Sequence, residues 1–195
     1  MNAPLRTGWT AEQFFAWEGH ASGRYEFDGF APVAMTGGSI NHSRITGNVL
    51  AALRTRLGGG PCEALGPDAG LATAAGAIRY PDALVTCSPQ PSGAARTVTN
   101  VVMGFEVLSA ASGRTDRIVK VREYAAVPSI RRYVILESRS AGLLVFDRAD
   151  AAETWRATTL TAEDVLRMPE IGVAIPVAEF YSRVQFGDDP ATAGG

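Results

Sequence analysis

A glutamate stands inside an apolar run. Val101-Val-Met-Gly-Phe-Glu-Val-Leu108 reads as a strand buried on both faces, and a carboxylate held on such a strand is costly unless it is paired or bound to a metal. The fold must therefore bring a cation to Glu106. Asp82 makes the same demand, because it follows Pro81 within an otherwise apolar strand predicted over residues 78–87. Hard oxygen donors of this kind suit magnesium or manganese, which keep several waters and take one or two carboxylates plus substrate phosphate oxygens.

The cation that the chain itself could supply is distinctive. Lysine and arginine together number 18, and Lys120 is the one lysine. Arginine is a rigid fork that stays charged at any working pH, whereas lysine is a compact point charge with a tunable pKa. Beside two carboxylates, an ammonium could orient an attacking water or offset charge building on a phosphoryl group. Each residue also has a structural reading. Asp82 and Glu106 could be strand-end acids holding a turn or an arginine, and Lys120 could lie on a solvated helix face with Arg117 and Glu123.

The hydrophobic period places these residues on a scaffold. Thr10-Ala-Glu-Gln13 has the form of a capping box and opens a first amphipathic helix reaching to about His20. Residues 24–28 and 30–35 flank Asp28-Gly29, a pair suited to a tight hairpin turn. From Ser39 or Asn41 to Leu57, Ile45, Val49, Ala52, Leu53 and Leu57 recur at helical spacing, and Gly58-Gly59-Gly60 ends the pattern. Strands are predicted over 62–66, 70–75, 78–87 and 101–108, with 88–99 as a loop. A second helix fits 116–126, with Asp116 at or near its N-cap and Pro128 stopping it, before Tyr133-Val-Ile-Leu136 resumes as a strand. Residues 142–147 and 153–160 suggest another hairpin, Thr161-Ala-Glu-Asp164 a short capped helical turn, and Pro176 the start of a last short helix.

Composition narrows the class. With 195 residues, 46% of them hydrophobic, the chain is expected to form one domain over residues 1–186, with 187–195 as a disordered tail. Cys62 and Cys87 could pair, but without a signal peptide they fit reduced core thiols of a cytoplasmic protein better. The apolar runs are too short to cross a bilayer. A net charge of -2 excludes a globally basic nucleic-acid binder, although Arg114, Arg117, Lys120, Arg122, Arg131 and Arg132 concentrate in one stretch.

Taken in order, Arg79-Tyr-Pro-Asp82, Phe105-Glu-Val-Leu-Ser109 and Asp116-Arg-Ile-Val-Lys120 resemble the Uma-type family of restriction-endonuclease-like proteins, within the PD-(D/E)XK nuclease superfamily. The likeness extends to Tyr25-Glu26-Phe-Asp28-Gly29, to Gly37-Gly38-Ser39 with His42, and to Pro128-Ser-Ile130 with Arg132-Tyr-Val134, and it covers most of residues 9–182. It implies an α/β fold: a restriction-endonuclease-like mixed sheet flanked by helices, with an N-terminal helix and hairpin and a C-terminal hairpin extension. It also implies that Asp82 and Glu106 sit on adjacent strands and bind a divalent metal, with the Val107 carbonyl as a further ligand and Glu26 as a third acid. The sequence departs from the superfamily pattern at Leu108, where a lysine is usual. Lys120 replaces that lysine only if its helix packs beside the carboxylate strands. Ala110-Ala-Ser-Gly113 also stands where the family tends to carry a proline-containing turn.

Some roles stay open. Glu26 could instead be an exposed hairpin residue paired with Arg24. Asp116 could cap its helix and pair with Lys120 four residues on, and His42 could satisfy a backbone group or partner side chain near the helix start. The expected activity is hydrolysis of DNA phosphodiesters by one or two magnesium or manganese ions, with Asp82, Glu106 and Lys120 catalytic and Arg114 and Arg117 on backbone phosphates. The alternatives are an inactive nuclease-fold domain serving interaction and, less well supported, a hydrolase of small phosphorylated substrates. Cutting both strands would favour a homodimer, for which Trp9, Trp17 and Trp155 are candidate anchors.

Overall fold

The computed structural model describes residues 8–109 and 115–187, so the expected tail at 187–195, apart from Gly187, lies outside the described residues. Helix α1, Ala11–Glu18, opens on the reciprocal cap foreseen in the sequence: Gln13 N donates to Thr10 Oγ1 at 3.2 Å and Thr10 N to Gln13 Oε1 at 2.8 Å. Its Phe14 stacks on Phe27 at 5.4 Å. Strands β1, Tyr25–Phe27, and β2, Pro32–Ala34, form the antiparallel hairpin. Asp28 Oδ1 accepts from the Phe30 and Ala31 amides, and Gly29 takes φ +90°, the left-handed geometry that the turn requires.

Helix α2, Ile40–Leu57, is capped by Ser39 and buries Ile45, Val49, Ala52, Leu53 and Leu57, each large side chain contributing about 1.5–3 kcal/mol on full burial. There follow β3, Cys62–Leu65, β4, Gly70–Ala72, β5, Ile78–Arg79, β6, Ala83–Cys87, β7, Thr97–Val98, and β8, Val101–Val107. A π-helical turn, Thr115–Lys120, runs into α3, Val121–Ala125, and leads to β9, Arg132–Leu136. The chain ends with β10, Gly142–Asp147, β11, Arg156–Thr161, β12, Val165–Met168, β13, Val173–Pro176, and α4, Val177–Phe180.

The larger sheet runs β11-β10-β9-β8-β6-β3, the smaller β2-β1-β5-β4-β7, and β12 pairs with β13 alone. Strands β8 and β9 are parallel, so the π turn and α3 form their crossover. Met103, Phe105 and Val107 of β8 pack in one cluster with Ile45, Val49 and Leu53 of α2. The two-residue period of the strand then turns Glu106 to the opposite face, toward Lys120 and Tyr124.

Four expectations are corrected. Residues 78–87 do not form one strand: the chain leaves the smaller sheet after Arg79 and joins the larger at Ala83, so Asp82 sits at the joint beside Pro81, which has no amide proton to donate to a ladder. The loop predicted at 88–99 contains β7, and residues 161–164 make a turn between β11 and β12, with Asp164 Oδ2 accepting from Thr161 N and Oγ1. Cys62 and Cys87 are not free thiols but a disulfide. The β3–β6 register sets them directly opposite, with Cα atoms 3.9 Å apart, a proximity that composition could not reveal.

The bridge spans a sequence separation of 25, for which loop-closure entropy corresponds to about 3 kcal/mol. Urea unfolding of the unreduced wild type and of a Cys62→Ala/Cys87→Ala variant should differ by that order. Equal midpoints, or two titratable thiols in the unreduced denatured chain, would exclude the bridge.

Candidate functional site

The sheet register builds the site. Because Ala83 pairs with Phe105, Asp82 falls beside the end of β8, and Val107 N donates to Asp82 Oδ2 at 2.7 Å. The crossover brings Lys120 to the same place, where its Nζ lies 2.8 Å from Glu106 Oε1, 3.0 Å from Glu26 Oε1 and 3.2 Å from Asp116 Oδ1. Lys120 is 5% exposed. Its helical segment does pack beside the carboxylate strands, the condition on which its role as the displaced lysine depended.

A second cation continues the array. Arg79 Nη1 reaches Glu26 Oε2 at 3.1 Å, while its Nε and Nη2 each donate to Glu123 at 2.7 Å, the bidentate geometry that favours arginine. Glu26 Oε1 also accepts from Tyr80 N at 3.2 Å, and Tyr124 OH lies 3.4 Å from Glu106 Oε1. His42 Nε2, on the first turn of α2, lies 3.3 Å from Asp82 Oδ2.

Among the described residues, negative groups outnumber positive ones. Glu26, Asp82, Glu106, Asp116 and Glu123 face two permanent cations, Lys120 and Arg79. Burial pushes the Glu106 carboxyl well above its ordinary value, Lys120 partly offsets this, and Asp116, Asp82 and Glu26 add to it. Burial alone would lower the Lys120 pKa, but Glu106, Tyr124, Glu26 and Asp116 outweigh it and hold the ammonium charged. The hydrogen bond to Asp82 raises His42, with burial opposing and a backbone hydrogen bond to Val107 assisting. Since the Val107 amide already serves Asp82, that bond engages its carbonyl.

These groups line a cavity of about 600 Å³ that includes Glu26, His42, Asp82, Glu106, Asp116 and Lys120. Among the described residues, no three His, Cys, Asp or Glu side chains are set round one point as metal ligands. The Lys120 ammonium stands where Glu26, Glu106 and Asp116 converge. The donor chemistry nevertheless fits a hard divalent ion. Both Asp116 carboxylate oxygens are sealed from solvent without a hydrogen bond, and the buried acids exceed the cations that neutralise them.

Several expected roles look different in place. Glu26 is buried and engaged by Arg79, Lys120 and Tyr80, not exposed beside Arg24, which pairs with Asp68 at 3.3 Å. Asp116 does not cap a helix: it lies within the π turn, 1% exposed, and keeps the ion pair to Lys120. Arg117 is exposed and pairs with Glu137, and Arg114 lies outside the described residues. The basic concentration in sequence is not one basic face, because Lys120 is buried and Arg132 is paired with Glu170. The tryptophans pack largely on their own chain, Trp9 against Trp17 and Trp155 against Phe146.

The sequence reading did not assign Arg79, Tyr80, Tyr124 or Arg24 to the site. Arg79 and Tyr80 were visible in the motif with Pro81 and Asp82, but the partners of Arg79 are 53 and 44 residues away. The pairing of β5 with β1 brings Glu26 to Arg79, and α3 carries Glu123 to the same guanidinium. The Gly37-Gly38 pair lines the cavity, and a Cβ at Gly38 would lie 2.5 Å from the His42 ring.

A mixed sheet flanked by helices, with acids converging at the ends of adjacent strands, defines a nuclease-like α/β protein. It superimposes, with a TM-score of 0.68 over 91% of this chain and 99% of the other, on the crystal structure of a "putative nuclease belonging to DUF820" from Anabaena variabilis, at 10% sequence identity. Residues 11–178 match the Uma2 family, described as "putative restriction endonuclease", and the chain belongs to that family. It is also similar to the uncharacterized protein slr1290 of Synechocystis, 29% identical over 177 residues covering 90% of this chain and 92% of that one. Among the described residues, no helix is long and apolar enough to cross a membrane.

Two stability effects follow from the geometry. Lys120→Met removes the charged partner of the buried Glu106 and Asp116, while Glu26 keeps Arg79 and Tyr80, and should cost about 3–5 kcal/mol; urea unfolding of the two proteins checks this. The folded His42 value lies above the ordinary 6.5, so its contact with Asp82 stabilises fully below pH 6.5 and is lost as pH rises through the raised value. In chelator, the gap between wild type and His42→Asn should be full below pH 6.5 and narrow as pH rises above it through the raised His42 value.

Proposed function

We propose that the protein is a divalent-metal-dependent nuclease that hydrolyses phosphodiester bonds in DNA. The observation that carries this reading is the cavity lined by Asp82, at the joint before β6, and by Glu106 of β8, which is paired there with the chain's one lysine, buried and held charged. Asp82 and Glu106 would hold a magnesium or manganese ion, which supplies Lewis acidity toward a phosphoryl oxygen and a water. Family membership and the nuclease-like neighbour support the reaction class and the DNA substrate.

The chain's own groups divide the remaining work. The Lys120 ammonium presents a fixed positive charge toward the negative charge that builds on the phosphoryl oxygens. His42 and the Val107 amide orient Asp82 from two sides. Arg24 lines the cavity with its side chain half exposed, placed to meet a neighbouring backbone phosphate. Water adds to phosphorus as the bond to the leaving sugar oxygen breaks, giving a phosphomonoester and a hydroxyl.

One observation favours a second reading, an interaction module with a nuclease fold and no turnover: the ammonium already stands where three carboxylates converge, and no metal ligand set is preformed among the described residues. A plasmid-nicking assay with manganese separates the two. Asp82→Ala, Glu106→Ala and Lys120→Ala should each lose at least about 100-fold in rate, while Arg117→Ala, whose guanidinium is spent on Glu137, should cut like the wild type. Nicking that survives Asp82→Ala would remove this site from the chemistry.

A further inference from the structure

Asp116 is the acid in this cavity with its acceptors unspent. It is 1% exposed, it lines the cavity with Asp82 and Glu106, and neither carboxylate oxygen receives a hydrogen bond. Lys120 Nζ stands 3.2 Å from Oδ1 without hydrogen-bond geometry. An unsatisfied buried acceptor costs about 1–3 kcal/mol, and more when charged, so native structures seldom keep one without a use. Nor is its placement an accident of a regular helix. A π turn aims Asp116 and Lys120 inward while Arg117, Ile118 and Val119 stay exposed, and such turns concentrate at functional sites.

Glu26 is the opposite case. Its Oε1 accepts from Tyr80 N at 3.2 Å and faces Lys120 at 3.0 Å, and its Oε2 accepts from Arg79 at 3.1 Å. A metal at Glu26 would compete with two cations and a backbone amide for a carboxylate whose acceptor sites are mostly taken. Asp82 and Glu106 each keep capacity, because no described residue hydrogen-bonds to Asp82 Oδ1 or Glu106 Oε2.

We infer that Asp116, not Glu26, supplies the third carboxylate of a divalent-cation site with Asp82 and Glu106, and that Glu26 is a positioning residue for the Lys120 ammonium and the Arg79 guanidinium. This rests on the metal-dependent reading of the cavity. The three carboxylates are not preset round one point, so the ion must draw together oxygens from the Pro81-Asp82 joint, β8 and the π turn, a hard donor set suited to magnesium or manganese. The third ligand then lies four residues before Lys120 on the same turn, so one local segment carries both a ligand and the ammonium.

The test is calorimetric titration of manganese(II) into the full, metal-stripped chain. Asp82→Asn and Asp116→Asn should each weaken binding by at least about 10-fold, whereas Glu26→Gln should leave the manganese affinity little changed and lower the unfolding midpoint of the metal-free protein. Asp116→Cys should shift preference from manganese toward cadmium, a change that a merely structural aspartate would not produce, and this variant decides the question if Asp116→Asn does not fold. Wild-type manganese affinity in Asp116→Asn beside its loss in Asp82→Asn, or no gain for cadmium in Asp116→Cys, would overturn the Asp116 assignment and leave the metal-dependent reading standing. A wild type that binds no manganese would overturn both.

Discussion

The Lys120 ammonium is the interaction on which the arrangement depends. It gathers Glu26 from β1, Glu106 from β8 and Asp116 from the π turn within 3.2 Å of one nitrogen. Arg79 extends the array from Glu26 to Glu123 on α3. Charge thus ties the smaller sheet to the larger sheet and its crossover. Apolar contacts join the sheets as well, because Leu71 and Val98 of the smaller one cluster with Leu84, Tyr133 and Ile135 of the larger, while Phe14, Phe27, Ile78 and Tyr80 form a cluster of their own. Buried ion pairs of this kind add little net stability once desolvation is subtracted, but they tolerate few alternative arrangements. The array therefore sets where the two sheets stand more than how firmly the chain folds.

The joint at Pro81-Asp82 serves the same end. A continuous strand would have kept Asp82 within one ladder. The chain instead ends β5 in one sheet and starts β6 in the other, which leaves Asp82 at the seam with its carboxylate against Val107 and His42. The cavity is bounded by groups from both sheets, the start of α2 and the π turn. Gly38 permits the approach of the His42 ring on which that boundary depends.

Much of this was legible in sequence, and the unread parts share a cause. Local signals succeeded: the Thr10 cap, the Asp28-Gly29 turn, the helical period from Ile45 to Leu57 and the apolar run around Glu106 are all encoded within a few residues. The cost of burying Glu106 pointed to a cation, read from the sequence as a bound metal, and in the structure Lys120 stands against that carboxylate. What failed was non-local. The opposition of Cys62 and Cys87 depends on strand register, the bridging by Arg79 depends on partners far along the chain, and the break in residues 78–87 depends on two sheets that no period describes. Arg117 misled for the converse reason: adjacency in sequence suggested one basic surface, but Glu137 claims its guanidinium.

On the proposed reading, the surplus of carboxylates has a consequence for binding order. A phosphate approaching this cavity without a divalent ion meets Glu26, Asp82, Glu106 and Asp116 against Lys120 and Arg79, in surroundings that screen charge less well than water does. The chain's net charge of -2 offers no compensating long-range attraction, and Arg24 is the arginine at the cavity beyond the buried Arg79. The ion must then enter before the scissile phosphate or together with it. Affinity for the substrate becomes conditional on the metal, so a site built from excess negative charge discourages metal-free capture of a polyanion and couples binding to the presence of the group that the chemistry needs.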